Sequence, residues 1–249
     1  MKTNQTLSLL GAVAVSAAVL GLVPTAQAVP LNEAFVAQPF LDTPLGGTTF
    51  ASRPELGGLV LEDVIKPFSF ATLGLSGTVQ NRVVREFSTG TLDFYWRIKV
   101  NPESPVAAPI GISAFRLDDF GYSDIKDADW RIDGLGSAAP TTGRVFNPAT
   151  HPEGAINFLF DSGQVLPGDP SNGLSGSRFF FLHTDATSFA ETASYDLLGG
   201  PDQTLSPVFS TFAPATSVPD SGSAMVLLLL GLGGLAVHRR LPGYNSSHQ

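Results

Sequence analysis

Cysteine is absent from the 249-residue chain. Its absence excludes disulfide bonds, thiolate metal sites and thiol nucleophiles. A domain without disulfides depends on its hydrophobic core for stability, and a chain of this length is long enough to bury one. The length predicts one domain, or at most two.

Basic residues are scarce, especially in the middle of the chain. The span from Val29 to Ser217 contains 11 of the chain's 14 Lys and Arg residues and 21 of its 22 Asp and Glu residues, so its net charge is −10. Nucleic-acid binding needs clustered basic residues to neutralise phosphates, and so does docking on anionic lipid. We therefore predict no nucleic-acid partner, and we expect the negative charge to keep the domain soluble.

The N-terminus has the three parts of a secretory signal peptide. A basic start at Lys2 precedes a mostly apolar run over residues 7–23, and the run is followed by the small residues Ala26 and Ala28. We expect signal peptidase to cleave after Ala28, so that the mature chain begins at Val29.

The C-terminus ends in a short apolar segment followed by two arginines. As a helix, residues 223–237 would rise about 22 Å, which is short of the hydrocarbon core of about 30 Å. Arg239 and Arg240 follow as a stop signal, and the positive-inside tendency places them in the cytoplasm. Both ends therefore predict the same topology, with the middle of the chain outside the cytoplasm.

The motif before this segment reads Val218, Pro219, Asp220, Ser221 and Gly222. Together with the weak apolar span and the Arg pair, it resembles the PEP-CTERM class of sorting signals, in its Val-Pro-Asp-Ser-Gly variant. The resemblance implies recognition by an exosortase-type membrane transpeptidase and transient residence in the inner membrane. It further implies later placement at the cell surface or outside the cell.

The middle of the chain predicts an all-β fold. Residues 91–100 alternate, with Trp96 among the apolar residues on one side and Tyr95 on the other, as in a half-buried strand. We also predict strands near 68–75, 78–87, 110–117, 155–160, 178–183, 188–197 and 205–212, with a hairpin at 88–90. Residues 179–182 are continuously apolar, which predicts cover on both faces. Many short strands between turn signals indicate an antiparallel β-sandwich or jelly-roll-like domain.

We divide the chain into five segments. These are a signal peptide at 1–28, a β-sandwich domain at 29–210, a linker at 211–217, the motif with its transmembrane helix and Arg stop at 218–241, and a tail at 242–249. Within the domain, residues 77–85, 90–95, 166–168, 181–187 and 212–214 resemble segments common in PEP-CTERM exported proteins. That resemblance implies a β domain and export and names no activity.

The body offers few residues for catalysis. Its two histidines, His151 and His183, lack a Gly-x-Ser-x-Gly elbow nearby, and we interpret both as structural or surface residues. The acids between Asp118 and Asp133 have the chemistry for Ca²⁺ but not the spacing of the twelve-residue Ca²⁺ loop, so we favour a solvated acidic loop and keep Ca²⁺ binding as a hypothesis. We assign no catalytic residue, no metal ligand and no cofactor.

Aromatic residues leave one binding hypothesis open. Tyr95, Trp96, Tyr122 and Trp130 are candidates for a platform that stacks on sugars. Tyr95 is the best candidate for contact with a glycan, because Trp96 belongs to the apolar side of its strand. We therefore expect a non-enzymatic structural or interaction protein of the envelope or matrix. The alternative is a carbohydrate-binding module, assisted by Ca²⁺ or not, that binds an extracellular polysaccharide, and a secreted hydrolase is less favoured.

Overall fold

The structure is a computed structural model that describes residues 29–30, 38–102, 110–161, 164–167, 176–200 and 202–215. The signal peptide, the sorting motif with its apolar span, and the tail lie outside the described residues. In the described part of the chain, no helix is long and apolar enough to cross a membrane.

The described chain is built almost entirely from β-strands, with one short 3-10 helical turn at Pro54–Leu56. The strands, in chain order, are β1 Val29–Pro30, β2 Phe40–Pro44, β3 Gly58–Phe70, β4 Leu75–Glu86, β5 Leu92–Val100, β6 Ile112–Asp118, β7 Ile125–Trp130, β8 Thr142–Phe146, β9 Ile156–Leu159, β10 Phe180–Thr184, β11 Phe189–Gly199, β12 Thr204–Leu205 and β13 Phe209–Pro214.

The strands form two antiparallel sheets. The first sheet has the order β1-β7-β10-β5-β4-β3, and the second has the order β12-β11-β6-β9-β8-β2, with β13 also paired to β11. The main hydrophobic core contains apolar side chains from both sheets, including Trp96 of β5, Phe115 of β6 and Phe158 of β9. The predicted all-β antiparallel sandwich is therefore confirmed.

Strand β5 confirms the predicted alternation but not the predicted exposure. Phe94, Trp96 and Ile98 point into the main core. Tyr95 on the opposite side is also buried, so the expectation of a half-buried strand is wrong. Leu56, from the 3-10 turn before β3, packs in the same small cluster as Tyr95 and covers this outer face. The hairpin at 88–90 and the double-sided cover of residues 179–182 are both confirmed.

Two strand predictions fail because a turn interrupts the apolar run. The predicted strand at 68–75 contains the β3–β4 turn, in which the N–H groups of Leu73 and Gly74 both donate to the carbonyl of Phe70. The predicted strand at 205–212 is divided between β12 and β13. Five strands were missed, namely β1, β2, most of β3, β7 and β8. Strand β1 has only two residues, and polar residues interrupt the apolar pattern of the others.

The predicted linker at 211–217 is wrong in its first part, and the domain does not end at 210. Residues 211–214 belong to β13, which pairs with β11. Thr211 is buried, and its hydroxyl accepts a hydrogen bond from Trp96 Nε1 at 2.9 Å and donates one to Asn81 Oδ1 at 3.0 Å. The β-sandwich therefore continues to Pro214.

Candidate functional site

The outer face of the first sheet carries a second, smaller hydrophobic cluster. Leu56, Val84, Tyr95, Phe179 and Phe181 form it, on the side of the sheet that faces away from the sandwich core. The cluster exists because the segment around the 3-10 turn folds over β4, β5 and β10. Two features lie on this face: an open cleft and a buried group of ionisable side chains.

The cleft has a volume of about 520 Å³ and a floor made by Tyr95 and Phe179. Val60 and Leu135 form apolar parts of its rim and are exposed. Arg82 also lines the cleft, and its guanidinium carbon lies 4.8 Å from the centre of the Phe179 ring. The cleft thus combines aromatic and apolar surface with guanidinium groups, in a protein of negative net charge.

The positive groups of the cleft are held by neighbouring carboxylates. Arg82 donates to Asp63 at 2.7 Å. Arg131, also in the lining, donates to both carboxylate oxygens of Asp133, at 2.9 and 3.1 Å. These pairs fix the direction in which each guanidinium group points, and each still has N–H groups that can donate to a ligand.

Tyr95 lies at the base of the cleft and is only 5% exposed. Its ring packs against Phe181 at a centroid distance of 5.0 Å and edge-on against Phe179 at 6.3 Å. Its hydroxyl lies 3.5 Å from Asp93 Oδ2, and burial raises the pKa of Tyr95 well above its usual range. Contact between Tyr95 and a glycan stays a prediction, and such a contact would be limited to the small exposed part of the residue.

The buried ionisable group consists of Glu86, Asp93 and His183, which come from β4, β5 and β10. His183 Nδ1 lies 2.8 Å from Asp93 Oδ1 and 3.0 Å from Glu86 Oε1. The side chains of both acids are fully buried, and that of His183 is 8% exposed. Strand pairing places Asp93 opposite His183 in the sheet, since β5 and β10 are neighbours in this register.

The hairpin between β4 and β5 orients Glu86. The hydroxyls of Thr89 and Thr91 both donate to Glu86 Oε2. The other oxygen, Oε1, is buried and has no hydrogen-bond donor, although it lies close to His183 Nδ1. One carboxylate oxygen of this group is therefore left without a donor.

Burial and charge change the acidity of these side chains. Burial raises the pKa of Asp93 to about 6, although the hydrogen bond from His183 opposes the shift. Burial lowers the pKa of His183, but the hydrogen bond and the negative charge of Asp93 outweigh it, so that the pKa of His183 is raised. Both shifts mean that Asp93 and His183 keep their protons to a higher pH than they would in water.

The ion pairs of Arg53 lie beside the group, since Asp127 is opposite His183 in the sheet. Arg53 donates to both oxygens of Asp127, at 3.0 and 3.1 Å, and to Glu55 at 2.8 Å. The guanidinium carbon of Arg53 lies 5.8 Å from the centre of the Phe181 ring. Arg53 therefore ties the covering segment to β7 and to the outer face of the sheet.

The acidic segment at 118–133 contains strand β7, so the expectation of a solvated acidic loop is wrong for residues 125–130, whereas Asp118 and Asp119 before this strand are exposed. Three of the later acids have separate partners. Asp127 pairs with Arg53, Asp129 accepts the backbone N–H groups of Gly47 and Trp130, and Asp133 pairs with Arg131. Among the described residues, the one group of three or more potential metal ligands that lie together is Glu86, Asp93 and His183.

A second cavity, of about 300 Å³, lies on the second sheet. Arg116 and Asp196 in its lining form a bidentate pair at 2.7 Å for each contact. His151 also lines it, and its Nδ1 lies 2.9 Å from Glu153 Oε1. The structure therefore separates the two histidines, and each is paired with carboxylate.

Sequence reasoning missed the Glu86–Asp93–His183 group. Glu86 and Asp93 belong to the two strands of one hairpin, but His183 lies 90 residues beyond Asp93, and only the strand order brings it to them. The local pattern gave no signal, because Asp93 shares its side of β5 with Tyr95, Arg97 and Lys99. A polar side of this kind predicts an exposed face and not a buried charge with a partner.

The described chain is an antiparallel β-sandwich, and a known sorting signal follows it in the sequence. The family model described as the VPDSG-CTERM motif matches residues 217–241. The chain therefore carries a C-terminal sorting signal of the PEP-CTERM-like type, which supports export and C-terminal processing by an exosortase-type enzyme. No curated protein and no solved structure matches the chain.

Proposed function

We propose that the β domain is a non-enzymatic structural or interaction protein of the cell envelope or extracellular matrix. The observation that carries the proposal is the short distance along the chain between the fold and the sorting signal. Strand β13 ends at Pro214, and the sorting signal starts at residue 217. The folded domain and the sorting signal are thus separated by residues 215 and 216 alone.

This arrangement places the domain close to the point where the chain is processed. An extended chain spans at most about 3.5 Å per residue, so residues 215–222 reach no further than about 28 Å. Strand β13 is anchored in the core through Thr211, so the folded domain extends to the start of this short tether, residues 215–222. A domain on so short a tether suits display at a surface or in a matrix.

The order of events follows from the two ends of the chain. Signal peptidase removes residues 1–28 during export. The segment from 223 to 240 then holds the chain in the inner membrane, with Arg239 and Arg240 on the cytoplasmic side. The exosortase-type enzyme acts near residues 218–222 and frees the domain from this segment.

The processing step is tested by replacing Pro219 and Asp220 together with alanine. We expect the double variant to keep its C-terminal segment and to accumulate in the inner membrane, whereas the wild-type domain is found outside the cell. The exposed Asp202→Ala variant is the matched control and should be processed normally. Equal processing of the double variant and the wild type would contradict the proposal.

The cleft on the first sheet favours a second candidate function, the binding of an extracellular polysaccharide. The guanidinium groups of the cleft provide directed hydrogen-bond donors for sugar hydroxyls and carboxylates, and the exposed Val60 and Leu135 provide apolar contact surface. Mutation of Tyr95 to alanine would test this poorly, because the change also removes buried ring contacts.

Rim variants test the cleft without disturbing the core. Val60→Glu and Leu135→Glu place charge at exposed positions of the cleft, and Ile65→Glu on β3 is an exposed control outside it. In a polysaccharide co-sedimentation assay, we expect the two cleft variants to lose at least about tenfold in affinity, which corresponds to about 1.4 kcal/mol. The control should bind like the wild type. Absence of binding by the wild-type protein, or equal binding by all variants, would remove this function.

A further inference from the structure

We propose that Glu86, Asp93 and His183 bind a divalent transition-metal ion, with Zn²⁺ the best fit, and that the ion links strands β4, β5 and β10. The inference is independent of the proposed role in the envelope or matrix. It depends on one unsatisfied buried atom, on the charge of the group and on the chemistry of its donor atoms.

The unsatisfied atom is Glu86 Oε1. The Nδ1 atom of His183 carries at most one proton, and its hydrogen bond is made to Asp93 Oδ1 at 2.8 Å. Glu86 Oε1, 3.0 Å from the same nitrogen, is left without a donor in a side chain that is fully buried. A buried carboxylate oxygen without a partner is costly, and a cation bound at this point would satisfy it.

The charge of the group fits a divalent ion. Two ionised carboxylates and a protonated imidazole leave one uncompensated negative charge in a buried place. A neutral imidazole, two carboxylates and a divalent cation sum to zero. The ion also replaces the proton on His183 Nδ1 as the common partner of both acids, so no donor is missing afterwards.

The donor atoms select the kind of metal. Two carboxylate oxygens and one imidazole nitrogen suit Zn²⁺ or Mn²⁺, whereas Ca²⁺ and Mg²⁺ prefer sites made of oxygen alone. Tetrahedral bonds of about 2.1 Å place neighbouring ligand atoms roughly 3.4 Å apart. The distances from His183 Nδ1 to the two carboxylate oxygens are 2.8 and 3.0 Å, so this nitrogen would move by about half an ångström from each oxygen to admit the ion.

The residues around the group would support such a site. The hydroxyls of Thr89 and Thr91 hold Glu86 Oε2 and thereby direct Oε1 towards His183. Hydrogen bonds of this kind orient metal ligands and sharpen affinity. The chain has no cysteine, so an exported domain that lacks disulfides would gain from the ion a cross-link between residues 86 and 183.

The test uses the protein purified in its exported form and stripped of metal with a chelator. Calorimetry and thermal unfolding are then followed during addition of Zn²⁺, Mn²⁺ or Ca²⁺. We expect one Zn²⁺ per chain and a rise in Tm of several degrees, with weaker binding of Mn²⁺ and no shift with Ca²⁺. Zn²⁺ binding should weaken as the pH falls from 7 to 5, because the ligands must lose protons.

Substitutions assign the site. Glu86→Gln and His183→Gln should each weaken Zn²⁺ binding by roughly 100-fold or more. His151→Gln removes the other histidine–carboxylate pair and should leave binding unchanged. Should the buried variants fail to fold, Co²⁺ titration of the wild-type protein replaces them, with visible absorption bands that saturate at one equivalent and vanish when Zn²⁺ is added.

Three results would overturn the proposal. The first is the absence of both heat and a Tm shift with Zn²⁺ or Mn²⁺, which would make the group a set of acids that share protons with His183. The second is binding that survives in folded Glu86→Gln and His183→Gln proteins. The third is a loss of binding in His151→Gln as large as in those two variants.

Discussion

Replacing Thr211 with valine removes one hydroxyl and keeps the shape of the side chain. The Thr211 hydroxyl accepts from Trp96 Nε1 and donates to Asn81 Oδ1, and all three residues are at most 1% exposed. Valine leaves a buried indole N–H and a buried amide oxygen with one partner fewer each. The hydroxyl joins β13 to β4 and β5 of the other sheet, so the substitution tests whether residue 211 belongs to the fold.

The magnitude follows from the two groups that lose a partner. An unsatisfied buried polar group costs about 1–3 kcal/mol, and burial of an additional methyl group returns part of that cost. We therefore expect the free energy of unfolding to fall by about 2–4 kcal/mol. For a domain of this size that corresponds to a decrease in Tm on the order of 5–12 °C.

Urea unfolding followed by tryptophan fluorescence measures the change. Thr211→Ser keeps the hydroxyl and should lose only about 1 kcal/mol, for the missing methyl group. Thr150→Val is the exposed control, where water replaces the lost partner, and should change stability by less than about 0.5 kcal/mol. A Thr211→Val protein as stable as the wild type would refute the reasoning that the Thr211 hydroxyl joins β13 to the other sheet.

Two further predictions concern a glycine and the buried acids. Gly154 has a φ of +96°, and an added Cβ would lie 2.1 Å from the backbone nitrogen of Gly121, whereas Gly90 has a φ of +76° and open space around it. We expect Gly90→Ala to cost about 1–2 kcal/mol in the free energy of unfolding and Gly154→Ala clearly more, and equal costs in urea unfolding would contradict the crowding at Gly154. The pKa of Asp93 is raised from 3.8 to about 6, so the folded protein binds more protons than the unfolded one between about pH 4 and 6. The contribution of Asp93 to stability is thus present at pH 4 and lost as the pH rises through 6, and the raised pKa of His183 acts in the same direction above pH 6.5. In metal-free buffer, Asp93→Asn should therefore gain stability relative to the wild type between pH 4 and 7, and a gap independent of pH would contradict the assignment.

Individual strands could be predicted from the sequence where the spacing of apolar residues alone determines which side chains are buried. In β5 and at residues 179–182, the apolar pattern shows which faces are covered, because successive side chains of a strand point to opposite faces of the sheet. The missed strand β7 carries Lys126, Asp127 and Asp129, which break the apolar pattern. These acids are tolerated there because Arg53 and the N–H of Gly47 pair with them, and those partners are distant in the sequence.

The candidate site depended on information that local patterns do not hold. Tyr95 was assigned correctly to the side opposite Trp96, but the segment that covers it lies some forty residues earlier. Glu86, Asp93 and His183 meet because β10 inserts between β5 and β7 in the sheet order. By contrast, the sorting signal is a linear motif, and it could be predicted fully from consecutive residues.

The intact mass of the protein outside the cell tests export and C-terminal processing most directly. We predict a chain that begins at Val29 and ends close to residues 218–222, with any attached group adding to that mass. A full-length chain that retains both residues 1–28 and residues 223–249 would contradict this conclusion.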